Sequence, residues 1–190
     1  LFTWLSVVRA SEMIEIRAER PHHAENIERL LDTVFGEGRR SKAVYSLRNG
    51  VSPIEELCHV ALVDGELHGA IRFWPIQAVS TGTQRRIQLL LLGPLAVDPV
   101  FQGAGIGRAL VEYSLILAGW RGHRAAVLVG DPAYYSRFHF DRAGARELKL
   151  PGEADQERLL LREIVRGAAA DCQGTLVSAS AEMPGLMRYP

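Results

Sequence analysis

The stretch Leu92-Gly93-Pro94-Leu95-Ala96-Val97-Asp98-Pro99-Val100-Phe101-Gln102-Gly103-Ala104-Gly105-Ile106-Gly107-Arg108 decides how the chain is read. It begins inside an apolar run, Ile87 to Val97, that reads as a strand, yet Gly93-Pro94 interrupts it. Proline cannot donate to a strand ladder, so the pair marks a bulge or an edge. A bulged strand leaves backbone amides and carbonyls without a neighbour. Those groups suit an amide-rich ligand; the plainer alternative is a bulge that only bends the sheet. Glycines 103, 105 and 107 follow and lead into a helical pattern. Ile106, Ala109, Leu110, Tyr113, Leu117 and Trp120 share one face, which Gly122 closes. Glycines let the backbone approach a ligand closely. A helix N-terminus presents free N–H groups and partial positive charge, which suits a phosphate. Arg108 opposes the helix dipole in the first turn but can pair with an anion.

Two nucleotide-binding loops share part of this pattern. A dinucleotide fingerprint needs GxGxxG after the first strand of a βαβ unit, and here the third glycine position is Arg108. A P-loop needs Gly-Lys-Ser/Thr at its end, which is absent. Both readings fail, and a nucleotide-dependent oxidoreductase fails with them.

Working outward, Met13 to Arg17 alternates apolar and polar residues as a strand does. Ile27, Leu30, Leu31, Val34 and Phe35 then trace a helix over about 21–35, with a shorter helix over 42–47. Residues 57–63 and 67–79 form two strand-like runs joined by Asp64-Gly65, the strongest short hairpin signal. Together with 87–97 they predict three antiparallel strands in a row. After the helix, Ala125 to Val129 reads as a buried strand, and a strand–helix–strand crossover makes a parallel pair. A short helix over 132–139 and closing strands at 159–165 and 175–178 complete the reading. The fold class is therefore α/β with a mixed sheet: antiparallel N-terminal strands, then a parallel pair at the glycine loop, and helices on both faces. Residues 1–12 read as an extension and 13–190 as a single domain.

The bulged strand and Gln102-Gly103-Ala104-Gly105-Ile106-Gly107 resemble the central motif of the GCN5-related N-acetyltransferases, Gln/Arg-x-x-Gly-x-Gly/Ala after a bulged strand. Every fixed position is filled. The likeness runs from about Ile14 to at least Phe140 and is greatest to the YhbS-like group of that family. It implies that backbone groups of Leu95, Ala96 and Val97 hold the pantetheine arm of acetyl-CoA. It also implies that Gln102, Gly103, Ala104, Gly105, Ile106, Gly107 and Arg108 hold its pyrophosphate. The amide near Leu95 would polarise the thioester carbonyl.

Tyr134-Tyr135-Ser136-Arg137-Phe138-His139-Phe140 resembles the family's Tyr-x-x-x-Gly-Phe segment, which places Tyr135 as the acid that protonates the departing thiolate and as a cofactor contact. Packing of both tyrosines against Phe138 is the competing reading. His139 stands where the family has glycine, either as a strained turn or as a polar group of the acceptor pocket. The family's strand carboxylate is absent from 87–97, so Glu55, Glu56 and Asp131 are candidate bases by position alone, beside a water relay. The resemblance implies direct transfer from acetyl-CoA to a small-molecule or peptide amine. A non-catalytic acyl-CoA-binding or sensor protein of the same fold is the alternative.

Composition sets the remaining bounds. The 190 residues carry 22 Lys+Arg against 22 Asp+Glu, a balance that gives no basic excess for nucleic acid. Cys58 and Cys172 form neither a metal pair nor a disulfide framework, and the six histidines show no ligand spacing, so no metal is expected. No window is long and apolar enough to span a membrane, and a cytoplasmic location is the expectation. A homodimer is a fair prior for a soluble enzyme. Arg39, Arg40 and Lys42 stand against Glu55, Glu56, Glu153 and Asp155 in the stretches expected to meet the acceptor, with no charge bias.

Overall fold

The computed structural model describes residues 14–41, 43–80, 82–152 and 156–179. The expected extension over 1–12 and its junction at Met13 lie outside the described residues, as do Lys42, Glu153 and Asp155. Strand β1 (Ile14–Ala18) is followed by helix α1 (Ala24–Phe35), β2 (His59–Val63), β3 (Glu66–Val79) and β4 (Arg86–Val97). Helix α2 (Ile106–Trp120), β5 (Ala125–Val129), helix α3 (Pro132–Tyr135), β6 (Leu148–Lys149), β7 (Leu159–Glu163) and β8 (Gly174–Ser178) complete the order.

The sheet runs β1-β2-β3-β4-β5-β7, with β4 and β5 parallel and the path otherwise antiparallel. Strand β3 changes partner along its length: its first half pairs with β2 and its last four residues with β8. This is the mixed sheet that the sequence predicts. Two details differ. The shorter helix expected at 42–47 is a pair of 3-10 turns, Glu37–Ser41 and Ala43–Arg48. The two-residue β6 is too short to leave a periodic signal.

Strand β4 is apolar on consecutive positions because helices cover both faces of the sheet. Leu90 and Leu92 turn with Ile71 and Phe73 toward Leu110, Val111 and Leu115 of α2. Ala96 and Ala70 turn the other way, toward Ile27, Leu30 and Leu31 of α1. The helices thus flank the same strands from opposite sides. Gly69 sets how closely α2 lies on β3: a Cβ there would stand 2.6 Å from Ile106 Cγ2. Among the described residues no helix is long and apolar enough to cross a membrane.

The expected bulge is present. Ile71 pairs with Leu95 and Phe73 with Leu92, so Gly93 and Pro94 together oppose Arg72 alone, and the Gly93–Pro94 peptide is cis. Trp74 Nε1 donates to the Gly93 carbonyl at 2.8 Å. The parallel ladder between β4 and β5 is short, confined to Leu90–Ala126 and Leu91–Val127. Beyond it the two strands part, while β4 continues to Val97.

Candidate functional site

The parted strands open onto a cleft of about 650 Å³ on the α2 face. Leu95 and Val97 of β4 form one wall, Gln102, Gly103 and Gly105 to Arg108 form the floor, and Tyr134, Tyr135 and Arg137 close the far side. Past the last β4–β5 pair, the outward backbone groups of β4 face this space rather than a neighbouring strand.

The floor is backbone. Asp98 starts it by accepting from the Val100 amide at 3.0 Å, and His68 Nδ1 lies 3.1 Å from its other carboxylate oxygen. The His68 ring also stacks on Phe101, with centroids 4.1 Å apart, so the loop's first turn is tied to β3. The Val100 amide, followed by His68, holds the Asp98 carboxyl below the usual aspartate range. Gly103 and Gly105 have φ of +88° and +89°, a conformation that side chains resist. Gly105 caps α2 with no side-chain hydrogen bond. The first intrahelical bond is Ala109 to Gly105 at 2.9 Å, so the Ile106, Gly107 and Arg108 amides have no partner among the described residues. Three free amides at a helix start, with Arg108 and Arg137 at the rim, form an anion site of backbone character.

Gly107 has a second reason to be glycine. A Cβ on it would stand 2.7 Å from the Tyr134 hydroxyl and 3.4 Å from Val97. Tyr134 thus lies over the helix start, with the Arg137 guanidinium 5.0 Å from its ring. Tyr135 packs deeper, edge-on to Tyr134 at 4.9 Å and against Phe138 and Phe140. Gly130 makes room for it, since a Cβ there would stand 2.4 Å from its ring. Burial raises both phenols, Tyr135 far above the ordinary tyrosine value, so both stay protonated at neutral pH.

Of the residues singled out in the sequence, Leu95, Val97, Gln102, Gly103, Gly105, Ile106, Gly107, Arg108 and Tyr135 line the cleft together. Ala96 and Ala104 do not. The Ala96 methyl packs toward α1 on the opposite face, and Ala104 is exposed at the loop's tip. Val34, Phe101 and Arg137 also line the cleft and carried no signal in the sequence. Val34 belongs to a helix more than sixty residues upstream, and Arg137 reads as an ordinary surface cation.

None of the candidate bases reaches the cleft. Asp131 caps α3 by accepting from the Ala133 amide at 2.9 Å. Glu55 and Glu56 are exposed on a 3-10 turn. His139 adopts φ +60°, ψ +26° with its side chain exposed, so it is a left-handed turn outside the cleft. Cys58 and Cys172 are free and buried, and burial pushes the thiols up to about 12 and about 11.

The charges on the α1 face form pairs that the sequence does not reveal: Arg39 and Arg40 pair with Glu28, and Arg39 also with Asp32 at 3.0 Å. Arg72 joins them, bound to both oxygens of Glu19 at 2.6 and 2.8 Å and to Glu28 at 3.3 Å. Burial alone would raise the Glu28 carboxyl, but the Arg40 and Arg39 hydrogen bonds outweigh it and hold it low.

Comparison with known proteins agrees with this fold. Residues 55–142 match the acetyltransferase (GNAT) domain family. The uncharacterised N-acetyltransferase YhbS of Escherichia coli K12 is 35% identical over 135 residues, covering 70% of this chain and 77% of that protein. The crystal structure of E. coli YhbS in complex with CoA superposes with a TM-score of 0.74 at 28% identity, covering 90% of this chain and 92% of that one. A GNAT family acetyltransferase from Brucella melitensis in complex with acetyl-CoA gives 0.58 at 26% identity, covering 80% and 88%.

Proposed function

Because the chain belongs to the GNAT family of N-acetyltransferases, we propose that it moves an acetyl group from acetyl-CoA directly to an amine acceptor, a small molecule or a peptide. The observation that carries this is the parting of β4 and β5 over a capless, glycine-built helix start. Acetyl-CoA supplies the thioester-activated acyl group, and the chain's own atoms supply position and protons. The Ile106, Gly107 and Arg108 amides, helped by Arg108 and Arg137, would hold the pyrophosphate. Strand groups of Leu95 and Val97 would hold the pantetheine arm. The Leu95 amide would donate to the thioester oxygen as negative charge develops there.

Tyr135 is the proposed proton donor to sulfur. A donor must be protonated before the step, as Tyr135 is; because burial raises its phenol, it gives up the proton only as negative charge builds on the sulfur beside it. Both cysteines are buried with raised thiol values, which disfavours an acyl-enzyme route. A cytoplasmic location and residues 13–190 as one catalytic domain belong to the same reading.

Isothermal titration of acetyl-CoA and CoA tests it. Wild type should bind both with micromolar affinity. Gly105→Glu should abolish binding by placing a carboxylate among the phosphate donors. Arg108→Glu, at an exposed helical position free of backbone strain, should weaken it on the order of tenfold. Absence of binding by wild type sinks the proposal. A second reading, a non-catalytic acyl-CoA-binding protein, is favoured by one observation: among the described residues no carboxylate lines the cleft. Binding without turnover of any amine would select it.

A further inference from the structure

The ion-pair network on the α1 face balances without Arg48. The guanidiniums of Arg39, Arg40 and Arg72 share the carboxylates of Glu19, Glu28 and Asp32. Arg48 lies close enough for Arg72 and Arg39 to disfavour its charge, yet no acidic residue pairs with it among the described residues. Its Nε is buried and has no hydrogen-bond partner there. Buried donors in native proteins are nearly always satisfied, and an unsatisfied one needs an explanation.

Its surroundings are equally specific. The guanidinium lies 4.1 Å from the Tyr45 ring centroid and 5.4 Å from that of Trp74. Trp74 in turn donates to the Gly93 carbonyl in the bulge. A Cβ built on Gly93 would stand 3.6 Å from a terminal nitrogen of Arg48. The Arg48 guanidinium is therefore within cation–π reach of both rings at the point where β4 bulges. Ala70, Arg72 and Trp74 alternate onto this face, so it lies across the sheet from the phosphate loop.

We propose that Arg48 is the acceptor-recognition residue, binding a carboxylate or phosphate carried by the amine that is acylated. The inference rests on the proposed acetyltransferase activity. Position argues for the acceptor rather than for CoA, because the CoA phosphates have their own donors on the α2 face. Chemistry argues for an oxyanion: a guanidinium presents a planar fork of donors that matches carboxylate or phosphate. Spacing argues for a small acceptor. Gly93, where a Cβ would stand 3.6 Å from Arg48, precedes Leu95 by only two residues across the bulge. Amine and anion would then be a few bonds apart, as in a short amino acid or an aminoalkyl phosphate.

Two measurements on the full chain test this. The first follows the Arg48 Nε–H resonance of the CoA-loaded protein, identified by its loss in Arg48→Lys, during titration with acetate and with inorganic phosphate. A saturable shift with one anion is expected, and which anion it is separates the two sources. A resonance that stays still with both overturns the proposal. The second compares acetyl transfer to matched amines: glycine and β-alanine against their carboxamides, and phosphoethanolamine against ethanolamine. Wild type should prefer one anionic member at least tenfold in kcat/KM. Arg48→Gln should bring that ratio to about one, and Arg48→Lys should restore part of it, with CoA affinity unchanged in both. A preference that survives in Arg48→Gln, or a preference for the neutral partner, overturns the proposal. Loss of CoA binding by wild type would instead overturn the acetyltransferase reading, and the Nε–H titration without CoA would still judge Arg48.

Discussion

The two faces of β4 use different materials. On the α2 face the cleft floor is main chain: glycines at positive φ, uncapped amides and a strand that has lost its neighbour. On the α1 face the organising groups are side chains, guanidiniums and carboxylates locked in pairs. A main-chain site is indifferent to most side chains but intolerant of a misplaced Cβ. A side-chain network tolerates backbone variation but fails when one partner is removed. The two faces should therefore break separately, and that expectation orders the tests.

The largest effect belongs to the α1 face. Arg72 and Glu19 are only 15% and 19% exposed, so removing one strands the other. Arg72→Met is expected to cost about 3 kcal/mol in urea denaturation, the usual penalty for half of a buried pair. CoA affinity, read on the folded protein, should stay within about twofold. Affinity falling in step with stability would show that the faces are coupled. On the α2 face, Tyr135→Phe should lower kcat on the order of 100-fold with little change in stability. Tyr134→Phe should act mainly on the KM for acetyl-CoA, because its hydroxyl lies at Gly107. An unchanged kcat in Tyr135→Phe would remove it as the acid.

The same division explains what the sequence revealed. Glycine and proline carry local backbone information, so Gly93-Pro94 announced the bulge and Gly103 to Gly107 announced the turn into α2. Periodicity placed α1, α2 and the main strands because each buries a face. The Arg72–Glu19 pair spans 53 residues of sequence and leaves no local trace. The division of Tyr134 from Tyr135 was illegible for a related reason. Adjacent residues on a one-turn helix point apart, and only the packing of Gly107 and Gly130 decides which ring goes where.

A pH dependence probes the packing between the faces. His59 is 3% exposed, its Nδ1 lies 2.9 Å from Ser114 Oγ, and Tyr113 meets it edge-on. Burial lowers its pKa in the folded state. The unfolded chain then binds the proton first, near pH 6.5, and stability falls as pH drops below that value. The loss is expected to approach about 1.4 kcal/mol per pH unit for this one group. Denaturation of wild type and His59→Gln between pH 7 and 5 measures it. Equal slopes would assign the acid sensitivity to other histidines, of which His23 and His123 are also held low.

The smallest expected effect tests whether position 139 matters for its conformation or for its side chain. His139 ends the turn after α3 at φ +60° with its ring exposed, while the preceding Phe138 and following Phe140 are buried. A left-handed conformation costs an L-residue about 1–2 kcal/mol. Glycine would remove that strain but lose more entropy on folding, by about 0.5–1 kcal/mol. The difference predicts that His139→Gly stabilises by about 0.5 kcal/mol, or ~1–2 °C in Tm for a chain of this length. kcat should not change, because the ring does not line the cleft. A stabilised variant with unaltered kcat would place position 139 with the main-chain logic of the α2 face. A drop in kcat would instead mean that the imidazole takes part in acceptor binding, and that side-chain chemistry reaches across to the face otherwise built from backbone.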